Sequence, residues 1–287
     1  MFADRFRVDP DDFRLKDHDP AYTGKLSADA AKERLAEDIE ELVQLQDRFY
    51  AFDRYALLLI LQARDAAGKD SVIKHVMSGV NPTGCQVHSF KAPSSGELQH
   101  DFLWRTACRL PERGHIGIFN RSYYEEVLVV RVHPDLLRAE KLPPDVKANG
   151  AFWKQRCKDI VHHEKYLHHQ GVRVLKFFLN VSKQEQKKRF LERINNPEKN
   201  WKLEPADYSE RVLWEKYQAA YEDMLRHTST EEAPWYVIPA DKKWFTRLAV
   251  ANILVRTLRD LKPAYPAVSD EQRAQLQTIR ELLEKEG

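Results

Sequence analysis

The sequence predicts an α/β fold built on a parallel sheet. Three observations carry that expectation: short apolar runs of strand length, helical periodicity between them, and a first run that feeds into a Gly-Lys turn opening a helix. The 287 residues leave room for one large domain or two ordinary ones with a buried core. A content of 43% hydrophobic and 31% charged residues, without low-complexity sequence, excludes disordered and collagen-like chains. Lys and Arg number 46 against 44 Asp and Glu, a net charge of +2, so any polyanion site must be local and no nucleic-acid partner is expected.

A polar N-terminal arm extends to about Gly24. Ser27 can then cap a helix whose Leu35, Ile39, Leu42, Leu45 and Phe49 recur at helical spacing. Tyr55 to Leu61 is continuously apolar, as in a strand covered on both faces, and runs into the loop Gln62 to Ser71. Val72, Ile73 and Val76 suggest a helix ending near Gly79. Further strands are expected at Gln86 to Phe90, Ile116 to Phe119, Val172 to Val181 and Trp235 to Pro239. Before the last strand, Ser182 to about Arg226 reads as a helical hairpin. Ser182 with Glu185 has capping-box spacing, Asn195-Asn196-Pro197 breaks the first helix, and Asp207 with Glu210 can start the second. The expected organisation is an arm and helix over 1–54, a core over 55–268 containing this hairpin at about 182–226, and a C-terminal helix over 269–287. Leu276, Ile279, Leu282 and Leu283 would give that last helix a docking or oligomer face.

Cys85, Cys108 and Cys157 form neither a CxxC pair nor an even disulfide framework, which favours a reducing compartment. The N-terminus lacks an apolar signal region, and the longest apolar run falls far below the ~20 residues that span a bilayer. A cytoplasmic protein without a membrane partner is expected.

The strongest chemical signal is the strand, loop and helix over Leu57 to Val76. Inward-pointing N–H groups at a helix N-terminus bind phosphate, and Lys69 adds a cation. Against G-x-x-x-x-G-K-[ST], Gly68 and Lys69 match, whereas Ala63 stands at the first glycine and Asp70 at the hydroxyl position. Asp65 inside such a loop would repel phosphate unless a cation intervenes or the carboxylate handles a proton or nucleophile; the alternative is an Asx turn cap. The strand at Ile116 ends in Asn120-Arg121-Ser122, where a magnesium-binding Asp often stands. The Asn120 amide could hold a metal-bound water and Arg121 a phosphate, or they could be a buried amide and a surface arginine.

Seven basic residues against three acidic ones over Lys183 to Lys202 make a local surface of net charge +4. Arg189 and Arg193 share a helix face beside Phe190 and Ile194 and could point into a cleft; a solvated basic face is the alternative. His163-Glu164 lacks the second histidine of H-E-x-x-H, so His162, His163, His168 and His169 read as a solvated helix end. Trp153, Trp201, Trp214 and Trp235 read as core.

These residues resemble the polyphosphate kinase 2 family from about Asp53 to Leu261. Gln62 to Asp70 is similar to the family's variant Walker A loop, and Phe119 to Glu125 to its Walker B segment. Ser89 to Pro93, His100 to Arg105, Asn196 to Trp201 and Val237 to Lys243 also match its blocks. The resemblance implies a three-layer P-loop kinase fold with a parallel sheet and a mobile basic helical lid, magnesium, and phosphoryl transfer between inorganic polyphosphate and nucleotides. Many members have Gly at the place of Ala63, and the mononucleotide and diphosphate branches often have Asp at the place of Asn120. Asn120 together with Glu125 resembles the branch that accepts both AMP and ADP.

The resulting expectation is a polyphosphate:AMP/ADP phosphotransferase, forming ADP and ATP. Asp65, Lys69, Asn120 and Arg121 would be catalytic, with Asp65 and Asn120 serving Mg2+. Ala66, Ala67, Gly68, Lys69, Asp70, Ser71, Lys91, Arg121, Glu125 and Arg131 would contact phosphate or nucleotide. Lys188, Arg189 and Arg193 would close over polyphosphate. A homo-oligomer, dimer or tetramer, is expected. An ATP-dependent nucleoside monophosphate kinase and a non-catalytic nucleotide switch are the competing readings.

Overall fold

The structure, a computed structural model, describes residues 2–286; Met1 and Gly287, the ends of the expected arm and C-terminal helix, lie outside the described residues. In chain order the elements are α1 (Phe2–Phe6), α2 (Ala28–Phe52), β1 (Ala56–Ala63), α3 (Lys69–Val76), β2 (Cys85–Ser89), α4 (Trp104–Ala107), β3 (Ile116–Asn120), α5 (Val129–Val132), α6 (Gly150–His169), β4 (Val172–Asn180), α7 (Lys183–Ile194), α8 (Pro205–Val212), α9 (Trp214–Thr228), β5 (Trp235–Pro239), α10 (Lys243–Asp260) and α11 (Asp270–Leu283).

The five strands form one sheet in the order β2-β3-β1-β4-β5, with every pairing parallel. All eight residues of β1 are buried, because helices cover both faces of a parallel sheet and leave no side for polar residues. One face packs α2, α3 and α10 through Leu42, Phe49, Val72, Phe245 and Leu254. The other packs α6 and α9 through Ile160, Leu167, Tyr221 and Met224. The result is three layers. β1 and β3 lie side by side at the centre, so the loop after β1 and the segment after β3 emerge together at the carboxyl edge, where open α/β sheets bind ligands.

The strands fall within one or two residues of expectation, although Gln62 and Ala63 extend β1 where a loop was expected. The N-terminal arm is not a loose polar segment. Phe6, Val8, Phe13 and Leu15 are buried, and Arg7 bridges Tyr236 antiparallel. The expected hairpin is three helices rather than two. Glu204 caps α8 reciprocally with Asp207, which is therefore three residues into its helix rather than at its start, and Leu213 separates α8 from α9. Trp201 is a correction as well: it is 76% exposed, with its indole N–H donating to Glu198 O at 3.0 Å, so a local bond to the backbone replaces core packing. Ile194 is exposed too, because the buried face of α7 runs through Gln186, Arg189 and Phe190 instead.

On α11, capped by Ser269, the residues Leu276, Ile279, Leu282 and Leu283 are exposed. No described helix is long and apolar enough to cross a membrane.

Candidate active site

Gly68 holds φ at +115° as the N-cap of α3, a conformation open to glycine, and Ala66 holds φ at +59° just before it. An L-residue is strained there, so the loop must be held from outside. Arg189 supplies the hold. Its guanidinium donates to Ala66 O at 2.9 Å, Ala67 O at 2.8 Å, Ala240 O at 2.6 Å and Asp241 O at 3.1 Å, and its Nε donates to Glu185 at 2.9 Å. Gln186 adds a bond from its amide to Asp65 O at 3.0 Å. Arg189 is 4% exposed and fully engaged, which corrects the expectation that it closes over a polyanion: its charge is spent on backbone carbonyls.

The first N–H groups of α3 stand at the helix start, where no intrahelical carbonyl is available to them. Lys69 donates to Ala63 O at 3.1 Å, so its ammonium is tethered at the strand end. Burial and neighbouring Arg121 lower the Lys69 pKa, with Asp65, Glu125 and Asp70 opposing. Asp65 pairs with Arg121 at 2.8 Å, so the cation that makes a carboxylate tolerable in a phosphate loop comes from β3's end. Arg121, at φ +65°, also reaches Glu125 at 3.5 Å. Burial pushes the Glu125 carboxyl up against the pull of Arg121 and Lys69. The buried Gln62 amide, oriented to satisfy both of its ends, donates to Glu125 Oε1 at 2.9 Å and accepts from Ser122 N at 3.1 Å.

Asn120 donates from Nδ2 to Asp70 Oδ1 at 2.8 Å, joining the two positions where P-loop proteins place a metal-binding hydroxyl and carboxylate. Ser71 accepts from Arg247 of α10 at 2.9 Å. Asp65, Lys69, Asn120, Arg121 and Glu125 are thus brought together. Other expected residues stand apart from this cluster. Arg131 is ion-paired with Asp223, Lys91 is exposed on the loop after β2, Lys188 is exposed beside Glu192, and Arg193 donates to Lys202 O at 3.0 Å. Among the described residues no three or more His, Cys, Asp or Glu side chains gather to hold a metal, the α6 histidines included.

A cavity of about 300 Å³ opens beside the loop, between Ala63, Asp65, Arg121 and Glu125 on one side and α8 and α9 on the other. Sequence reading missed its far walls. Arg64, 8% exposed, stacks its guanidinium 3.7 Å from the Trp214 ring and donates to Gln218 Oε1 at 2.7 Å; burial pulls its pKa down to about 10. The available signal was Arg64 itself, a charge directly following an eight-residue buried strand. Arg247 was also missed, since nothing in α10's apolar pattern ties it to α3.

A loop before α3 at the carboxyl edge of a parallel sheet, a paired cation at the neighbouring strand end and a cavity walled by α8 and α9 are the features of a P-loop kinase-like fold. The sequence profile of polyphosphate kinase 2 matches residues 25–266, and the chain belongs to that family. It is 52% identical over 267 residues to the ADP-polyphosphate phosphotransferase of Rhodopseudomonas palustris, covering 93% of this chain and 91% of that one. It is 45% identical over 265 residues to the AMP/ADP-polyphosphate phosphotransferase of Meiothermus ruber, covering 91% and 95%. Its fold matches the crystal structure of polyphosphate kinase 2 from Arthrobacter aurescens with a TM-score of 0.90 and 37% identity, over 98% of this chain and 97% of that one.

Proposed function

We propose that this protein transfers a terminal phosphoryl group of inorganic polyphosphate to AMP and ADP, with the cavity beside Arg121 as the acceptor site. One observation carries the reading: Arg121, paired with Asp65, lines the cavity where it meets the phosphate loop, and the Lys69 ammonium is tethered to O of Ala63, another lining residue, so donor and acceptor phosphates have cations close to one junction. Catalysis of this class is positioning and charge neutralisation. The N–H groups of Gly68 to Ser71 and the Lys69 ammonium hold donor oxygens. Arg121, shared between Asp65 and Glu125, is oriented before substrate arrives and can exchange a carboxylate for an acceptor phosphate at little reorganisation cost.

Asp65, Asp70 and Asn120 offer hard oxygen atoms near the loop, a donor set that fits Mg2+. With no three-ligand cluster among the described residues, a magnesium ion here would take its other ligands from water and substrate phosphates, as this ion commonly does. Bound there, it would neutralise charge on the transferring group. Lys91, Lys188, Arg193 and the exposed Lys242 and Lys243 make the surrounding surface basic, which suits a polyanion too long for the cavity.

The test supplies purified protein with Mg2+, long-chain polyphosphate and AMP. ADP and then ATP should accumulate. AMP phosphorylation only when ATP is the donor would replace the reading with an ATP-dependent monophosphate kinase, and nucleotide binding without transfer would replace it with a switch.

A further inference from the structure

The far wall of the acceptor cavity has a different chemistry from its loop end. Arg121 lines the loop end between Asp65 and Glu125, whereas the α8 side contributes Glu204, Asp207 and Glu210 together with Arg211, whose guanidinium is engaged by Lys183 O and Gln186 Oε1. With Arg211 engaged by those partners the α8 side is predominantly acidic, which favours a nucleotide placed with its phosphates at Arg121 and its base towards α8. Trp214, with the Arg64 guanidinium stacked on its ring, and Tyr217 line the cavity as well. Arg64, more than nine-tenths buried, also lines this cavity, and its Nε has no hydrogen-bond partner.

Within this wall Glu210 is held in place. Its Oε2 accepts from the Tyr217 hydroxyl at 2.5 Å and pairs with His133 Nε2 at 2.9 Å. Both bonds fall on one oxygen, so Oε1 is presented as an acceptor on a side chain whose rotamer is already fixed. A carboxylate oxygen can only accept, so the group it suits on a planar ring is an N–H donor, and a ring carbonyl at the same place would be repelled.

Resting on the proposed acceptor site, we infer that Glu210 is a specificity residue that takes a hydrogen bond from an exocyclic amino group of the acceptor's base, selecting amino-bearing bases over oxo-bearing ones. AMP and inosine monophosphate make a sharp pair, since a carboxylate set at position 6 meets an amino donor in the first and a carbonyl acceptor in the second, while N1 changes in the opposite sense, from a bare acceptor to an N–H donor.

The experiment measures calorimetric affinities of AMP and inosine monophosphate for the full chain, beside kcat/KM for each with polyphosphate as donor. Wild type should favour AMP by about tenfold or more, the discrimination expected when a polar site group faces the wrong partner. In Glu210→Gln, whose amide can turn to donate to a carbonyl, the ratio should fall below about threefold, with inosine monophosphate gaining as AMP loses. Tyr217→Phe, which frees one of the two bonds fixing Glu210, should give an intermediate ratio. A structural role would lower both substrates together and the melting temperature with them.

Equal affinities in wild type, or an unchanged ratio in folded Glu210→Gln, overturns the inference. Should Glu210→Gln fail to fold, the wild-type pair and Tyr217→Phe decide it. Loss of the proposed function is read separately: no transfer from polyphosphate to AMP, whatever the binding ratio.

Discussion

Two ionic clusters flank the same short segment after β3 and behave in opposite ways. Arg121 and Glu125 belong to the open cluster with Asp65 and Lys69; Tyr123 and Tyr124, between them in sequence, belong to a sealed one. In the sealed cluster Lys176 donates to Glu164 Oε2 at 2.5 Å, to Tyr124 Oη at 2.9 Å and to Thr228 O at 2.7 Å, while both tyrosine hydroxyls donate to Glu164 Oε1 at 2.8 Å. Every ammonium proton has an acceptor, and Lys176 and Glu164 are at most 1% exposed. The open cluster has 37% of the Arg121 side chain and 28% of Asp65 exposed, and its donors remain available to an incoming anion. Saturation, more than residue type, separates a charge that holds a fold together from one that does chemistry.

The contrast breaks if stability and activity do not separate between the clusters. Lys176→Met leaves Glu164 buried and uncompensated and should destabilise by about 3 to 5 kcal/mol. Chemical denaturation checks it, and adding Glu164→Leu should restore part of the loss. Lys69→Ala should instead leave the melting temperature nearly unchanged while turnover with polyphosphate and ADP falls by about two to three orders of magnitude, or roughly 3 to 4 kcal/mol of transition-state stabilisation. Asp65→Asn keeps any turn-capping bond but releases Arg121, so turnover should fall by about tenfold or more across a magnesium titration; near-normal turnover would return Asp65 to a loop cap. Glu125→Asn sharpens the picture within the open cluster, because its loss should lower kcat/KM for AMP about tenfold more than for ADP.

A third cluster gives the smallest effect and a pH signature. Arg156 pairs with both Glu126, at 2.6 Å, and Glu140. Burial, then Glu140, pushes the Glu126 carboxyl up to about 8. A carboxyl raised on folding stabilises fully below its unfolded value near 4.5 and loses that stabilisation as pH rises through about 8. Glu126→Gln mimics the protonated form, so its melting temperature should approach wild type near pH 5, exceed it increasingly up to about pH 8 and keep that lead to pH 9. A constant difference across that range would mean that Glu126 is ionised throughout.

Much of this was legible from residues alone. The run Tyr55 to Leu61 followed by Gly68-Lys69 located the sheet, the loop and their junction, because an unbroken apolar stretch has few structures open to it. The pairing of Asp65 with Arg121 was legible only as a puzzle, since the carboxylate demanded a cation that lies 56 positions away in the chain. Lys176 carried a signal that went unread. A lysine inside Val174-Leu175-Lys176-Phe177-Phe178 requires a buried acceptor, and Glu164 was weighed only as part of a metal motif. Arg189 and Arg193 looked alike by helical spacing, yet the burial that separates them depends on how α7 docks against the loops after β1 and β5, which periodicity does not encode.

That docking also has a mechanical consequence. Gln186 and Arg189 fasten the first half of α7 to the phosphate loop and to the stretch after β5. A rotation about Ser182 would tear five or more hydrogen bonds, so the fulcrum for any swing of the lid lies beyond Arg189. Helical rise places Ile194 only about 7 to 8 Å past that point. Any movement of the segment around Trp201 would therefore have to arise at the Asn195-Asn196-Pro197 break, and would leave the geometry of the phosphate loop undisturbed.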